Sequence, residues 1–425
     1  MALSPAAAPT DQDQGVNAPD LQFFVFALFF IFGGITSLND IIIPKLKDLF
    51  TLSYAQALLV QSAYFMAYLV FSLPAAAVVA RFGYMRTASF GLLAMMAGCL
   101  MFVPASASGL FPVFLVALFV LAAGVTMVQV VANPLISLLG PPRTAHSRLT
   151  FAQAFNSIGT TIFPIVGSAL ILGSLSTVDP STLTGAALSD YRTAETQTVV
   201  RTYLGLAAAL LVVAAVVWTR RNRLPEGAGT DAKARLFGGF DLLRRPRFGF
   251  GAACIFLYVG AEVAIGSLIV NYLEQSSVMG LSQRAAGDHV AYYWGGAMVG
   301  RIIGAGLLRL VAPGKVLAGV ALGAIALLFV STHSSGAVSG WSLLAIGLVN
   351  SVMFPTIFSL ASEGLGKRAA EGSGLIATAI VGGAVIPPLT GWLADQSNLR
   401  VAMALPALCY ALIAAYGWYA RRPAV

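Results

Sequence analysis

Charge is what this sequence holds least of. Only 10% of its 425 residues are Asp, Glu, Lys or Arg, against about 25% in a soluble domain, which excludes a water-solvated globular surface. Cysteine is scarce as well. Cys99, Cys254 and Cys409 lie singly in apolar stretches far apart, with neither metal-ligand spacing nor an evident disulfide partner, and read as small core residues. The three histidines, His146, His289 and His333, fall in or beside loops, which leaves no deep histidine for a proton relay. Gly314-Lys315 is followed by Val and lacks the preceding glycine of a nucleotide-binding loop. The lone Gly372-Ser373-Gly374 has no nearby base to make a nucleophile. Neither ATP hydrolysis nor acyl transfer has residues to run on, so no enzyme activity, cofactor or metal is expected. The first twenty residues are rich in Ala, Pro, Asp and Gln without a basic stretch, as in a tail rather than a signal peptide.

Apolar residues, by contrast, make up 58% of the chain, and the mean hydropathy is +0.83. A helix needs about 20 apolar residues to cross the hydrocarbon of a bilayer. Twelve such segments are expected, at about 21–43, 54–80, 84–106, 109–140, 148–172, 199–219, 247–273, 286–309, 315–332, 338–362, 372–394 and 400–420. The chain reads as an all-α integral membrane protein with 12 transmembrane helices. Its net charge of +8 does not point to nucleic acid, because the basic residues fall in alternate loops rather than on one face. With the N-terminus inside, eighteen Lys and Arg lie in inner loops and six on the outer side. That asymmetry puts both termini in the cytoplasm of a cell inner membrane. The basic loop 220–246 divides the helices six and six, suited to an anionic inner leaflet. The expected organisation is a tail (1–20), a first bundle (21–219), a cytoplasmic linker (220–246) and a second bundle (247–421). A second long loop, about 173–198, faces outward.

The two halves resemble each other. Gly159, Pro164 and Gly167 recur with the same spacing as Gly383, Pro388 and Gly391, and Gln129 and Pro134 are echoed by Asn350 and Pro355. The order and near-constant offset indicate a same-direction duplication of six helices. Parallel repeats of this kind fit alternating-access transporters, with the site at the repeat interface near the midplane. A monomer suffices for such an architecture.

The polar residues inside the apolar segments are the candidate site. Gln129, Asn133, Gln153 and Asn156 place four amides on segments four and five. A buried amide without a partner costs about 2 kcal/mol or more, so these groups bond each other or await a ligand. A ligand covered in hydroxyls suits them, because each amide offers donors and an acceptor. Of seventeen acids, fifteen lie in loops, tails or helix ends; the exceptions are Asp40 in segment one and Glu262 in segment seven, corresponding helices of the two halves. An intramembrane charge costs about 2.5–3.5 kcal/mol on insertion scales and is functional by default. Both are candidates for ion coupling, and Glu262 also for ligand contact. Asn271, Trp294 and Asn350 are further candidates, Trp294 because a flat aromatic ring stacks well on a sugar face. Arg301, inside segment eight, reads as a snorkelling or gate-bracing residue.

Several stretches are specific enough to compare with a known family. Leu38-Asn39-Asp40-Ile41, Val128 to Pro134, Ala152-Gln153-Ala154-Phe155-Asn156-Ser157, Phe354-Pro355-Thr356-Ile357-Phe358-Ser359 and Val381-Gly382-Gly383 resemble the fucose/glucose-galactose permeases of the major facilitator superfamily. The resemblance covers nearly the whole chain and is closer to the glucose/galactose members. It implies two six-helix bundles that rock about a central site, and cation-coupled uptake of a small neutral sugar. The fucose permease's carboxylates in segments one and four match Asp40 and Gln129, and Gln129 cannot titrate. The glucose/galactose members have Gln there and a Glu in segment seven, matching Glu262. The coupling cation, H+ or Na+, stays open. The alternatives are a fucose or other sugar permease of the same family, and a proton-coupled drug or metabolite antiporter.

Overall fold

In hydrocarbon every backbone N–H and C=O must be bonded within its own segment, so apolar runs become helical rods. The structure, a computed structural model, describes residues 18–50, 54–108, 110–167, 184–224 and 239–422, with the side chains of 39–50 and 54–62 among those outside it. The first six rods are α1 (Pro19–Phe50), α2 (Tyr54–Phe82), α3 (Tyr84–Leu100) continued by α4 (Phe102–Ser108), α5 (Phe111–Leu138), α6 (Ala145–Gly167) and α7 (Gly185–Thr219). The second six are α8 (Pro246–Glu274), α9 (Gln283–Leu310), α10 (Pro313–His333), α11 (Gly336–Asn350) continued by α12 (Met353–Ser362), α13 (Ala369–Ala379) continued by α14 (Gly382–Gln396), and α15 (Leu399–Ala402) continued by α16 (Ala404–Tyr419). Each of the twelve expected segments is a rod. Two boundaries differ most: α1 runs on to Phe50 rather than ending near 43, and α7 begins at Gly185, so part of the stretch expected as an outer loop to 198 is helix.

Ten rods are long and apolar enough to cross a membrane on composition alone, and α6 and α9 are not among them. Both carry polar side chains, Arg148, Gln153, Asn156 and Ser157 on one and His289 and Arg301 on the other. They pack against each other, and there Arg301 of α9 bonds the Gln153 carbonyl and the Ser157 hydroxyl of α6.

Two prolines explain where the rods open. A proline has no N–H to give the carbonyl four residues back. Pro134 thereby frees the Val130 carbonyl, which accepts the Ser373 hydroxyl of α13 at 2.9 Å. Pro355, its counterpart in the repeat, frees the Ser351 carbonyl between α11 and α12, which accepts Arg301 Nε at 3.4 Å. Glycine sets the closest approaches. A Cβ on Gly159 of α6 would fall on the Phe30 carbonyl of α1, and one on Gly382 of α14 on the Phe256 carbonyl of α8. The same pairing, in the same order along the chain, thus occurs in both halves.

The halves meet along the end of the rods that bears the linker and most basic loops. Ser147 donates to the Ala305 carbonyl at 2.7 Å and accepts from Arg309 Nε at 3.1 Å. His146 contacts the Ser359 hydroxyl through Nδ1 and Glu363 through Nε2, the latter at 3.1 Å. Glu363 is also held by Arg247. At the linker's exit Arg368 grips Asp241 with its two terminal guanidinium nitrogens, at 2.6 and 2.7 Å. That grip holds the exposed Asp241 carboxyl below the usual carboxylate range.

Candidate functional site

Gln129 and Asn133 are four apart on α5 and share one face; Gln153 and Asn156, three apart, share a face of α6. Gln129, Asn133 and Gln153 are buried and Asn156 is half-buried. Gln129 Oε1 accepts from the Tyr68 hydroxyl at 2.7 Å. The neighbouring Tyr64 hydroxyl meets Thr36 Oγ1 of α1 at 2.6 Å. The other amide bonds are long: Gln153 Nε2 to Asn133 Oδ1 at 3.5 Å and Asn156 Nδ2 to the Phe29 carbonyl at 3.4 Å. At those lengths each is near the limit of a hydrogen bond, so the amides keep capacity for shorter partners. Asp40 belongs to α1, but its side chain lies outside the described residues.

From the other half, Glu262 sits near the middle of α8 and is half-buried. The Tyr258 hydroxyl, one turn earlier on the same helix, lies 2.7 Å from Glu262 Oε1 and 3.1 Å from the Asn350 carbonyl. Asn350 is fully buried and donates its Nδ2 to the Tyr293 hydroxyl at 2.9 Å. It therefore stands behind Tyr258, while Glu262 keeps some exposure. Trp294, 46% exposed, has its indole beside Gly266, where a Cβ would meet it at 3.7 Å. Gly266 is one helical turn from Glu262, so ring and carboxyl occupy adjacent turns of one face. Asn271 is exposed close to the C-terminal end of α8, well along the helix from Glu262.

Arg301 joins the two bundles. Its guanidinium donates to the backbone carbonyl of Gln153 at 3.2 Å and to the Ser157 hydroxyl, and to the Ser351 carbonyl of its own half at 3.4 Å. The tyrosines Tyr64, Tyr68 and Tyr258 were not legible as site residues. A tyrosine in an apolar run reads as core, and its hydroxyl shows only once a partner is known. One signal was available: Tyr258 and Glu262 are four apart, within reach on a helix.

The model of the Major Facilitator Superfamily matches residues 24–381. The chain is 47% identical over 393 residues to a glucose/galactose transporter of Brucella abortus, covering 92% of this chain and 91% of that one. It is 32% identical over 412 residues to the L-fucose-proton symporter of Escherichia coli, covering 95% and 94%. Among solved structures it superposes on a fucose transporter in the outward conformation with a TM-score of 0.86, at 30% identity, over 95% of this chain and 99% of that one.

Proposed function

The chain belongs to the Major Facilitator Superfamily, within it to the glucose/galactose and fucose permeases, and from that we propose that it imports a neutral hexose by cation-coupled symport. Residues 21–219 and 247–421 form the two bundles, joined by the cytoplasmic linker 220–246, in an inner membrane with both termini cytoplasmic. The observation that carries this reading is the bridge from Arg301 of the second bundle to the Gln153 carbonyl and the Ser157 hydroxyl of α6, the helix of the first bundle that bears the Gln153 and Asn156 amides. Gln129, Asn133, Gln153 and Asn156 hold sugar hydroxyls from the first bundle. Glu262, Trp294 and Asn271 complete the site from the second, with Asn350 supporting it from behind. Since the inter-bundle bonds cluster at the basic, cytoplasmic end, the conformation is the one open to the outside.

Counterflow of labelled glucose in vesicles, with pH and sodium varied independently, tests the reading. Glucose exchange supports it; exchange of an organic cation in its place would favour the antiporter. Removing an amide that bonds a sugar hydroxyl costs about 1–3 kcal/mol, or five- to 150-fold in affinity. Gln153→Ala and Asn156→Ala are each expected to weaken glucose binding by that range in titration calorimetry, and parental affinity in both would remove α6 from the site. Asp40→Asn is expected to abolish uphill accumulation while sparing glucose exchange. Normal accumulation by that variant at neutral pH would take Asp40 out of the coupling scheme.

A further inference from the structure

Helices α10 and α16 touch backbone to backbone at one end. A Cβ on Gly417 would lie 2.6 Å from the Ala318 nitrogen, and one on Gly314 would lie 2.6 Å from the Gly417 carbonyl oxygen. At the other end they part. Pro406 has no N–H for the Ala402 carbonyl four residues back, and the rod breaks there into α15 and α16. Between this break and the last turns of α10 lies a cavity of about 440 Å³, walled by apolar side chains such as Leu328, Phe329 and Ala407. Its polar lining is confined to Thr332, His333 and Arg400. No residue of the sugar site lines it. We propose that this crevice binds an anionic phospholipid, one acyl chain between the helices and the phosphate on Arg400.

Charge selects the occupant. Arg400 reaches only neutral acceptors, the Thr332 carbonyl at 3.3 Å and the Ser277 carbonyl and hydroxyl at 3.2 and 3.4 Å. Those lengths are at or beyond the long end of the usual range. Among the described residues its Nε has no partner and the side chain has no ion pair. A phosphodiester presents two charged oxygens to the planar guanidinium, a shorter and stronger contact than a carbonyl makes. The His333 ring stacks on Phe329 at 4.1 Å between centroids, and its Nδ1 lies 2.9 Å from the Phe329 carbonyl. A carbonyl only accepts, so Nδ1 carries the hydrogen and Nε2 of the neutral ring is an acceptor. A hydroxyl on the lipid headgroup suits it.

The chemistry therefore fits phosphatidylglycerol: an apolar chain, a phosphate with one negative charge and a headgroup bearing hydroxyls. A phosphatidylcholine offers the same chain and phosphate but brings a quaternary ammonium beside Arg400. Inorganic phosphate would find the guanidinium and leave the apolar walls bare. In the orientation proposed above, α10 leaves the basic stretch Arg309–Lys315 on the cytoplasmic side and ends at His333. The crevice thus opens to the outer leaflet, where the protein has few cations to hold an anionic lipid.

Photocrosslinking of the full chain in phosphatidylcholine liposomes tests it. The probe is a trace of phosphatidylglycerol with a diazirine in one acyl chain, and peptide mapping locates each crosslink. Mapping matters because the basic cytoplasmic loops collect the same lipid; crosslinks near them serve as the internal reference. The parent is expected to crosslink within α10 and α16. Arg400→Gln should cut that yield about tenfold relative to the reference, the effect of one charge-assisted hydrogen bond, and Arg400→Lys should keep most of it. Ala407→Phe, which fills the crevice and leaves the charge, should abolish it. Should Arg400→Gln fail to assemble, Ala407→Phe and the headgroup comparison still decide: a phosphatidylcholine carrying the same diazirine should crosslink there about tenfold less. No crosslink in α10 or α16 overturns the proposal. So does equal yield from the two headgroups, which would show an apolar face coated by any lipid, or a yield unmoved by Arg400→Gln or Ala407→Phe.

Discussion

Leucine in place of Gly159 is expected to leave little assembled protein in the membrane. Inside a bilayer no hydrophobic force drives one helix onto another, so association depends on close packing across small residues. At Gly159 the backbones of α6 and α1 touch: a Cβ there would overlap the Phe30 carbonyl and approach the Gly34 nitrogen to 2.9 Å. The obstacle is backbone, which cannot swing aside as a side-chain tip can. Alanine gains about 1 kcal/mol of helix propensity over glycine but meets an overpacking cost of about 1–3 kcal/mol, so Gly159→Ala should lower the melting temperature modestly. Leucine adds three further carbons to the same overlap. Gly205 of α7 supplies the control, since a Cβ there meets nothing within 4 Å and Gly205→Ala should match or exceed the parent. Yield and thermal unfolding of the purified protein check all three. A Gly159→Leu variant as stable as the parent would show that α1 and α6 are not in backbone contact.

The glycine at that contact was legible as part of a repeat, but its role was not. Spacing paired Gly159 with Gly383, whereas the structure gives the matching helix contact to Gly382, one residue earlier; run length placed all twelve rods, because hydropathy dominates when lipid is the solvent. The rods' interruptions were harder. The gap at Ser351 and Val352 lies inside a continuous apolar run, and Pro355 marks it only through the carbonyl it frees. The polar amides and Glu262 stood out because they are costly in lipid. Tyr258 did not, since its ring satisfies the apolar pattern and its hydroxyl counts only beside Glu262. His146 read as a loop residue, yet it opens α6 and spans the seam to Ser359 and Glu363. A contact between residues more than two hundred positions apart has no signature in local sequence. Arg301 shows the same limit: its sequence position suggested a brace, and only the fold names Gln153 and Ser157 as what it braces.

Arg301→Gln is expected to release the cytoplasmic seam. Two of its bonds cross between bundles, to the Gln153 carbonyl at 3.2 Å and to Ser157. Hydrogen bonds to charged groups contribute about 1.5–3 kcal/mol each. Both are absent once the bundles part, so they act on the equilibrium rather than on folding. Losing about 3 kcal/mol of them shifts the ratio of the two conformations roughly 100-fold toward the form open to the cytoplasm. The shift is bounded, because Ser147, Arg309, His146 and Ser373 keep their own bonds across the seam. A cysteine at Ala305 reads it out, since that residue is 6% exposed and its carbonyl accepts from Ser147. The native Cys99, Cys254 and Cys409 are buried and give little background. An impermeant maleimide applied from the cytoplasmic side should label Ala305→Cys faster by up to that factor in the Arg301→Gln background. Ser157→Ala, which removes one of the two acceptors, should fall between. Glucose affinity from the outer side should drop in the same order, because a ligand that binds one conformation is weakened by the fraction of molecules withdrawn from it. Equal labelling rates in all three backgrounds would mean that Arg301 supports its own bundle through Ser351 and does not hold the seam.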